Sequence, residues 1–330
     1  MYMSTISVNN LKKYFRVHKK KAGVSGSIYS LFHRSYEVAQ AVNNISFSVS
    51  QGELVGFIGP NGAGKTTTLK CLSGVLYPTS GSISVLGFQP FDRKKDFLRQ
   101  ISLVLGQKNQ LWWDLPAYES YLLNKEIYEI KESDFKERLS ELTKLLNIED
   151  VISIPVRKLS LGQRMKCELV AQLLHAPKLL FLDEPTIGLD VVMQQRIRQF
   201  IKTYNKKYNA TILLTSHYMQ DVKELCSRVI IINKGSILYD GRLSKITERP
   251  SAHKRIRLVF DKNIDSSELS RFGTVLSFEE QVGVISVPRS KISLVTAELL
   301  GTFSVADITI EDPPIEDVIR EIFTQNSVRL

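Results

Sequence analysis

A chain of 330 residues, 43% hydrophobic and 24% charged, can bury ordinary globular cores and is long for one average domain. No apolar run approaches the roughly 20 residues a bilayer-spanning helix needs, and residues 1–10 carry no stretch suited to a secretory signal. Cys71, Cys167 and Cys226 stand far apart with no CxxC pair, which fits reduced thiols in the cytosol, while a net charge of +10 leaves nucleic acid, an anionic membrane or a polyphosphate ligand open.

Early in the chain, Asn10-Leu11-Lys12-Lys13-Tyr14-Phe15 leads into residues 16–36, where Lys19, Lys20, Lys21 and Arg34 mix with Ile28, Tyr29, Leu31, Phe32 and Tyr36. Between Arg16 and Tyr36 there is no acid. Such a stretch suits a solvated loop or a patch that meets anionic lipid. From there to about residue 245, β-rich apolar runs alternate with helical patterns, the habit of an α/β domain on a largely parallel sheet. Val55-Gly56-Phe57-Ile58 reads as a buried strand. It ends in Gly59-Pro60-Asn61-Gly62-Ala63-Gly64-Lys65-Thr66, a complete GxxxxGK[ST] pattern, and Thr67 opens a helical run. Glycines in this order let backbone N–H groups converge on phosphate oxygens while the following helix points its N-terminus at the same charge. Lys65 supplies an ammonium for the β- and γ-phosphates, and Thr66 a hydroxyl for Mg²⁺.

Further on, Phe135, Leu139, Leu142, Leu145 and Leu146 keep helical spacing behind a predicted cap at Ser133. A second apolar strand over 179–182 ends in Asp183-Glu184-Pro185. Asp183 suits a Mg²⁺ carboxylate, and Glu184 a general base for an attacking water. A third, over 212–214, runs into Thr215-Ser216-His217. Residues 230–232, Asn233-Lys234-Gly235 and 237–239 predict a hairpin. Near Arg249-Pro250 the pattern changes to a small α/β piece. Strands are predicted over 256–260 and 282–287, a helix over 293–300, and a closing helix after Pro314 with Ile315, Val318, Ile319, Ile322 and Phe323 on one face. The boundary is placed near residue 248.

The decisive run is Leu159-Ser160-Leu161-Gly162-Gln163, about 20 residues ahead of Asp183-Glu184. It resembles the LSGGQ signature of ATP-binding cassette (ABC) proteins, and over residues 5 to about 242 the family's other motifs appear in order. Gln107 resembles the Q-loop glutamine that touches metal and γ-phosphate, Gly188-Leu189-Asp190 the D-loop, and His217 the switch histidine. Phe15 stands where the family stacks an aromatic on adenine, with Tyr14 as the neighbouring alternative. The resemblance implies a P-loop NTPase (RecA-like) α/β core with an antiparallel β subdomain and a helical signature subdomain, about 108–175, within a nucleotide-binding domain over 1–248. Residues 249–330 form a small accessory or regulatory α/β domain. Leu161 departs from the usual glycine, and Ile187 from the usual small residue.

The implied activity is ATP hydrolysis that powers a separately encoded permease at the cytoplasmic face of the membrane. ATP, with Mg²⁺ held at Thr66, Gln107 and Asp183, lies between two copies of the chain. Residues 59–67 of one copy face Ser160, Gly162 and Gln163 of the other, and Glu184, His217 and Gln107 carry the catalysis. Gln107 through Pro116, with Trp112 and Trp113, and the run Ile310-Glu311-Asp312-Pro313-Pro314 are similar to ATPases of daunorubicin- and viologen-type exporters, which pair with six-span permeases. The competing expectation is a soluble cassette protein acting on nucleic acid or ribosomes. Those proteins usually carry two cassettes or long coiled-coil inserts, and this chain shows neither, so no nucleic acid is expected.

Overall fold

Apolar runs too short for helices, and too evenly apolar to have a wet face, become the central strands. The computed structural model describes residues 4–18, 36–106, 109–247, 253–314 and 317–319. The chain divides into two compact units, Met1–Leu243 and Ser244–Leu330.

In the first unit, β1 (Ser4–His18) and β2 (Tyr36–Ser50) form an antiparallel pair that β4 (Ser80–Val85) extends into a sheet of order β2-β1-β4. Thus Arg16, Val17, His18 and Tyr36, expected at the edge of a loop, continue the two strands, while residues 19–35 lie outside the described residues. The larger sheet holds β3 (Leu54–Ile58), β5 (Ile101–Leu105), β6 (Leu179–Asp183), β7 (Thr211–Ser216), β8 (Arg228–Asn233) and β9 (Ser236–Arg242) in the order β5-β6-β7-β3-β8-β9. It is parallel except for β9, which returns against β8 through Lys234 and Gly235, both with positive φ, as a tight hairpin demands. Every residue of β3 and β7 is buried, as expected of parallel strands covered on both faces. Val55, Phe57 and Phe181 share one apolar core with Ile6, Val42 and Ile83 of the smaller sheet, and with Leu69 and Leu72 of helix α1 (Lys65–Leu72). Each such side chain contributes about 1.5–3 kcal/mol on burial, and together they fix the P-loop strand under the β1–β2 pair.

Helices α2 (Ala117–Ile127), α3 (Glu132–Leu146) and α4 (Leu161–Leu173) make the helical part. The predicted cap at Ser133 is not used. Helix α3 begins at Glu132, and Ser133 donates to Asp134 Oδ1 instead. Glu132 and Asp134 in the first turn supply the negative charge that a helix start favours, which replaces a side-chain cap. Phe135, Leu142 and Leu146 are buried, whereas Leu145 faces outward. Helices α5 (Val191–Tyr208) and α6 (Met219–Leu225) follow β6 and β7. Among the described residues, no helix is long and apolar enough to cross a membrane.

The second unit is an antiparallel sheet of order β11-β12-β10-β13, built from β10 (His253–Phe260), β11 (Thr274–Glu279), β12 (Val282–Pro288) and β13 (Val305–Glu311), with helix α7 (Ile292–Thr302) ahead of its last strand. The predicted strands and helix are present, extended by a few residues. The edge strands β11 and β13 were not anticipated, because most of their residues are exposed and none is buried, so they lack clear alternation. Of the closing helix only residues 317–319 are described. They are helical, with Ile319 buried, and Ile315, Ile322 and Phe323 lie outside the described residues.

Candidate active site

β3 delivers the chain into the glycine loop, and the loop's shape depends on two glycines in particular. A Cβ on Gly59 would sit 2.1 Å from the Ile232 carbonyl oxygen. One on Gly64, which has φ +106°, would sit 2.3 Å from that of Ala41. The loop is thus pressed between β8 and β2, and only glycine fits at both points. Lys65, the first residue of α1, is buried and its Nζ donates to the carbonyls of Gly59 at 2.7 Å and Pro60 at 3.1 Å. Burial lowers its pKa, while the carboxylates of Glu184 and Asp183 pull it back up. The ammonium is thus held inside the loop by backbone carbonyls.

Thr66 Oγ1 donates to Asp183 Oδ2 at 2.8 Å, joining α1 to the end of β6. The strand order sets β7 between β3 and β6, and its Thr215 donates to Asp183 Oδ1 at 2.6 Å. Thr215 is a contributor that sequence reasoning passed over, although it directly precedes Ser216-His217. Glu184 follows with φ +53°, a left-handed conformation uncommon for a side chain of this size. Its N–H donates to Thr215 at 3.1 Å, and its Oε2 lies 3.1 Å from His217 Nδ1. Backbone strain held by surrounding bonds is characteristic of functional positions. A cleft of about 500 Å³ is lined by Asn61, Gly62, Thr66, Asp183, Glu184 and His217, and also by Ile187. A second, of about 290 Å³, continues along residues 61–67 to Ala41. The two share Asn61, Gly62, Thr66 and Glu184, so they form one trough of a size that suits a nucleotide.

Phe15 pairs in register with Ala39, two residues before Ala41 at the glycine loop. It is exposed, with Lys13 Nζ 5.0 Å from its ring centre. Tyr14 instead is partly buried and donates its hydroxyl to Asn43 Oδ1 at 2.9 Å. Gly106, which lines the trough, donates its N–H to Asp183 O at 2.9 Å, and Gln107 lies outside the described residues.

The signature residues lie elsewhere. Ser160 caps α4, its Oγ accepting from Gln163 N at 3.2 Å while Gln163 Oε1 accepts from Ser160 N at 3.0 Å. This reciprocal box satisfies two otherwise unpaired N–H groups. A Cβ on Gly162 would meet Met193 Cε at 2.9 Å, and one on Gly188 would lie 3.2 Å from Leu161 Cδ2. The unusual Leu161 therefore leans toward the Gly188 turn of its own chain. Asp190 caps α5 by accepting from Met193 N at 2.8 Å. Among the described residues, none of 159–163 lines either half of the trough. Trp112 and Trp113 are exposed, with the Arg164 guanidinium 4.8 Å from the Trp113 ring centre.

Residues 42–187 match the family described as "ABC transporter", and residues 252–311 match "EvrA-like ABC transporter, C-terminal domain". The chain is 33% identical over 217 residues to the ABC transporter ATP-binding protein NatA of Bacillus subtilis (strain 168), across 66% of this chain and 88% of the relative. It is 33% identical over 225 residues to the bacitracin transport ATP-binding protein BcrA of Bacillus licheniformis, across 68% and 72%. A solved structure described as "Structure of ATP binding subunit of ABC transporter" aligns with a TM-score of 0.61 at 26% identity, covering 74% of this chain and 92% of the other. The trough, its P-loop and these relatives lead to one conclusion: the chain belongs to the ABC transporter ATP-binding proteins, ATPases that couple ATP hydrolysis to transport.

Proposed function

We propose that the chain powers an exporter, working as a dimer in which two copies close head to tail over ATP at the cytoplasmic face of the membrane and drive a separate permease. The observation that carries this reading is the separation of its parts. Lys65, Thr66, Asp183, Glu184 and His217 converge on one trough, while Ser160 and Gly162 stand outside it at the start of α4. A second copy would bring its own helix start, with the positive end of the helix dipole, to the phosphates. Thr66 and Asp183, already within 2.8 Å of each other, present the hard oxygen donors that suit Mg²⁺, with Gln107 as the third expected ligand. The ion would neutralise charge on the β- and γ-phosphates. Glu184 would accept the proton of the attacking water, and His217, at 3.1 Å, would hold that carboxylate in place.

An exporter role draws on the resemblance to BcrA. The permease reading draws on a third cleft of about 510 Å³, with Leu98, Ile101 and Leu103 inside and Arg93, Lys95 and Arg99 beside them. Arg99 pairs across it with Glu129. Apolar surface flanked by cations fits an amphipathic helix that carries acids. Val17, Tyr36 and Val38 are exposed at the β1–β2 end, and the sequence after His18 continues with Lys19, Lys20 and Lys21, a composition suited to anionic lipid. Residues 249–330 hold none of the expected ATP-site residues, and we assign them a regulatory role.

Ser160→Arg tests the composite site. ATP should still bind the monomer, while ATP-dependent dimers, followed by size exclusion in the Glu184→Gln background, should disappear. Persistence of those dimers would refute the head-to-tail arrangement.

A further inference from the structure

Asp221, on α6, is fully buried and takes part in none of the expected chemistry. Its Oδ2 accepts two hydroxyl hydrogen bonds, from Thr186 Oγ1 at 2.5 Å and from Ser216 Oγ at 2.8 Å. Its Oδ1 accepts from Arg198 Nη1 at 3.0 Å, and Arg198 Nε continues to Glu224 Oε2 at 2.9 Å. Thr186, Ser216 and Arg198 are themselves buried. A carboxylate is retained in such a place only when paired and fully hydrogen-bonded, and this one is.

The two hydroxyls come from the roots of two functional segments. Thr186 lies two residues beyond Glu184 and one before the turn 187–190. Ser216 lies one residue before His217, and its Oγ also accepts from Tyr218 N at 3.0 Å, which orients the residue just after. A single oxygen therefore ties together the chain after Glu184 and the chain around His217, whose side chains meet 3.1 Å apart. We infer that Asp221 is a positioning residue: it sets the spacing of Glu184 and His217, and couples that spacing to the 187–190 turn. The inference rests on the reading of Glu184 as general base with His217 as its partner. Neither Glu184 nor His217 is bonded to Asp221 directly. Asp221 acts through the backbone, so its loss should appear in turnover and leave nucleotide affinity alone.

Thr186→Val keeps the shape of the side chain and removes one of the two hydroxyls. In the full chain, kcat for ATP hydrolysis should fall about tenfold, since small misplacements near reacting groups cost up to about 10²-fold. The Kd for a fluorescent ATP analogue should stay within twofold. Thr186→Ser returns the hydroxyl and should restore kcat to within twofold. Ser216→Ala gives an independent arm should Thr186→Val not fold. Where both fold, the double variant should lose less than the product of the two single losses, because both hydroxyls serve one oxygen. Turnover of Thr186→Val within twofold of the parent would overturn the proposal, as would a loss carried by Kd or one that Thr186→Ser leaves unrepaired. Glu184→Gln, measured in parallel, separates the two readings. If it retains turnover, the assignment of the base fails. If it collapses while Thr186→Val does not, only the positioning role fails.

Discussion

The two units bury different chemistry. Among the described residues, every buried polar or charged side chain, from Lys65 and Thr68 to Glu168, Arg198, Thr215 and Asp221, lies in the first unit. The buried set of the second is apolar throughout, with Ile256, Leu258, Phe260, Ile285, Val287 and Leu299 at its centre. Burying a polar group without a partner costs roughly 1–3 kcal/mol by mutational measures, so a fold accumulates such groups where packing alone does not meet the need. In the first unit Lys65 stands at the trough, Thr215 bonds the Asp183 that lines it, and Thr186, Ser216, Arg198 and Asp221 form the network behind it. The second unit shows what a core looks like when nothing but packing is required.

The sharpest way to break this contrast is chemical. Glu184→Gln keeps shape and hydrogen bonding while losing basicity, so turnover should fall about 10²- to 10⁴-fold, or about 3–5 kcal/mol of barrier, with ATP still bound. Phosphate-release kinetics beside a nucleotide-binding assay would show it, and a rate within threefold of the parent would remove Glu184 from the chemistry. In the second unit the matching blow is to packing. Leu258→Ala should cost about 2–5 kcal/mol of that unit's stability, read as a lower melting transition, with ATPase rates of the folded protein unchanged.

A smaller effect sits at Glu168, buried on α4 and accepting from Gln110 N at 3.0 Å. Burial pushes its pKa up to about 7, against the opposing pull of the Gln110 and Leu111 backbone N–H groups and the nearby Arg164. The folded chain thus holds a proton between about pH 4.5 and 7 that the unfolded chain releases, and raising the pH through that window withdraws stability. The parent should lose on the order of 1–3 kcal/mol relative to Glu168→Gln between pH 5 and 8. Parallel curves of melting temperature against pH would show that the carboxyl carries no such linkage. Smallest of all should be the effect of ending the chain at Leu243. ATP affinity is expected to stay within twofold, and complete loss of binding in a folded truncation would tie the second unit to the nucleotide.

What could be read beforehand followed the strength of local patterns. The P-loop, Asp183-Glu184 and His217 were legible because each closes an unbroken apolar run, and β3, β6 and β7 formed where those runs lie. The edge strands β11 and β13 were not, since most of their positions are exposed and none is buried, which gives weak alternation. Serine favours the cap role, which points to Ser133, but the helix starts two residues sooner, at Glu132, where Glu132 and Asp134 supply the charge its first turn favours. Thr215, Thr186 and Asp221 escaped notice for a different reason. Their importance comes from a shared partner, across 32 residues for Thr215 with Asp183 and 35 for Thr186 with Asp221, and no short-range pattern encodes such a meeting.

The cap at Ser160 has a consequence for how its hydroxyl is shared. In the box with Gln163 the Oγ serves only as an acceptor, so one lone pair is engaged and the proton is uncommitted. A hydroxyl has one proton and two lone pairs, so holding the helix start and donating to an outside anion draw on different parts of the same group. A phosphate arriving at α4 would leave the cap unopened, and the helix would meet it already formed, with no ordering entropy left to lose at its first turn.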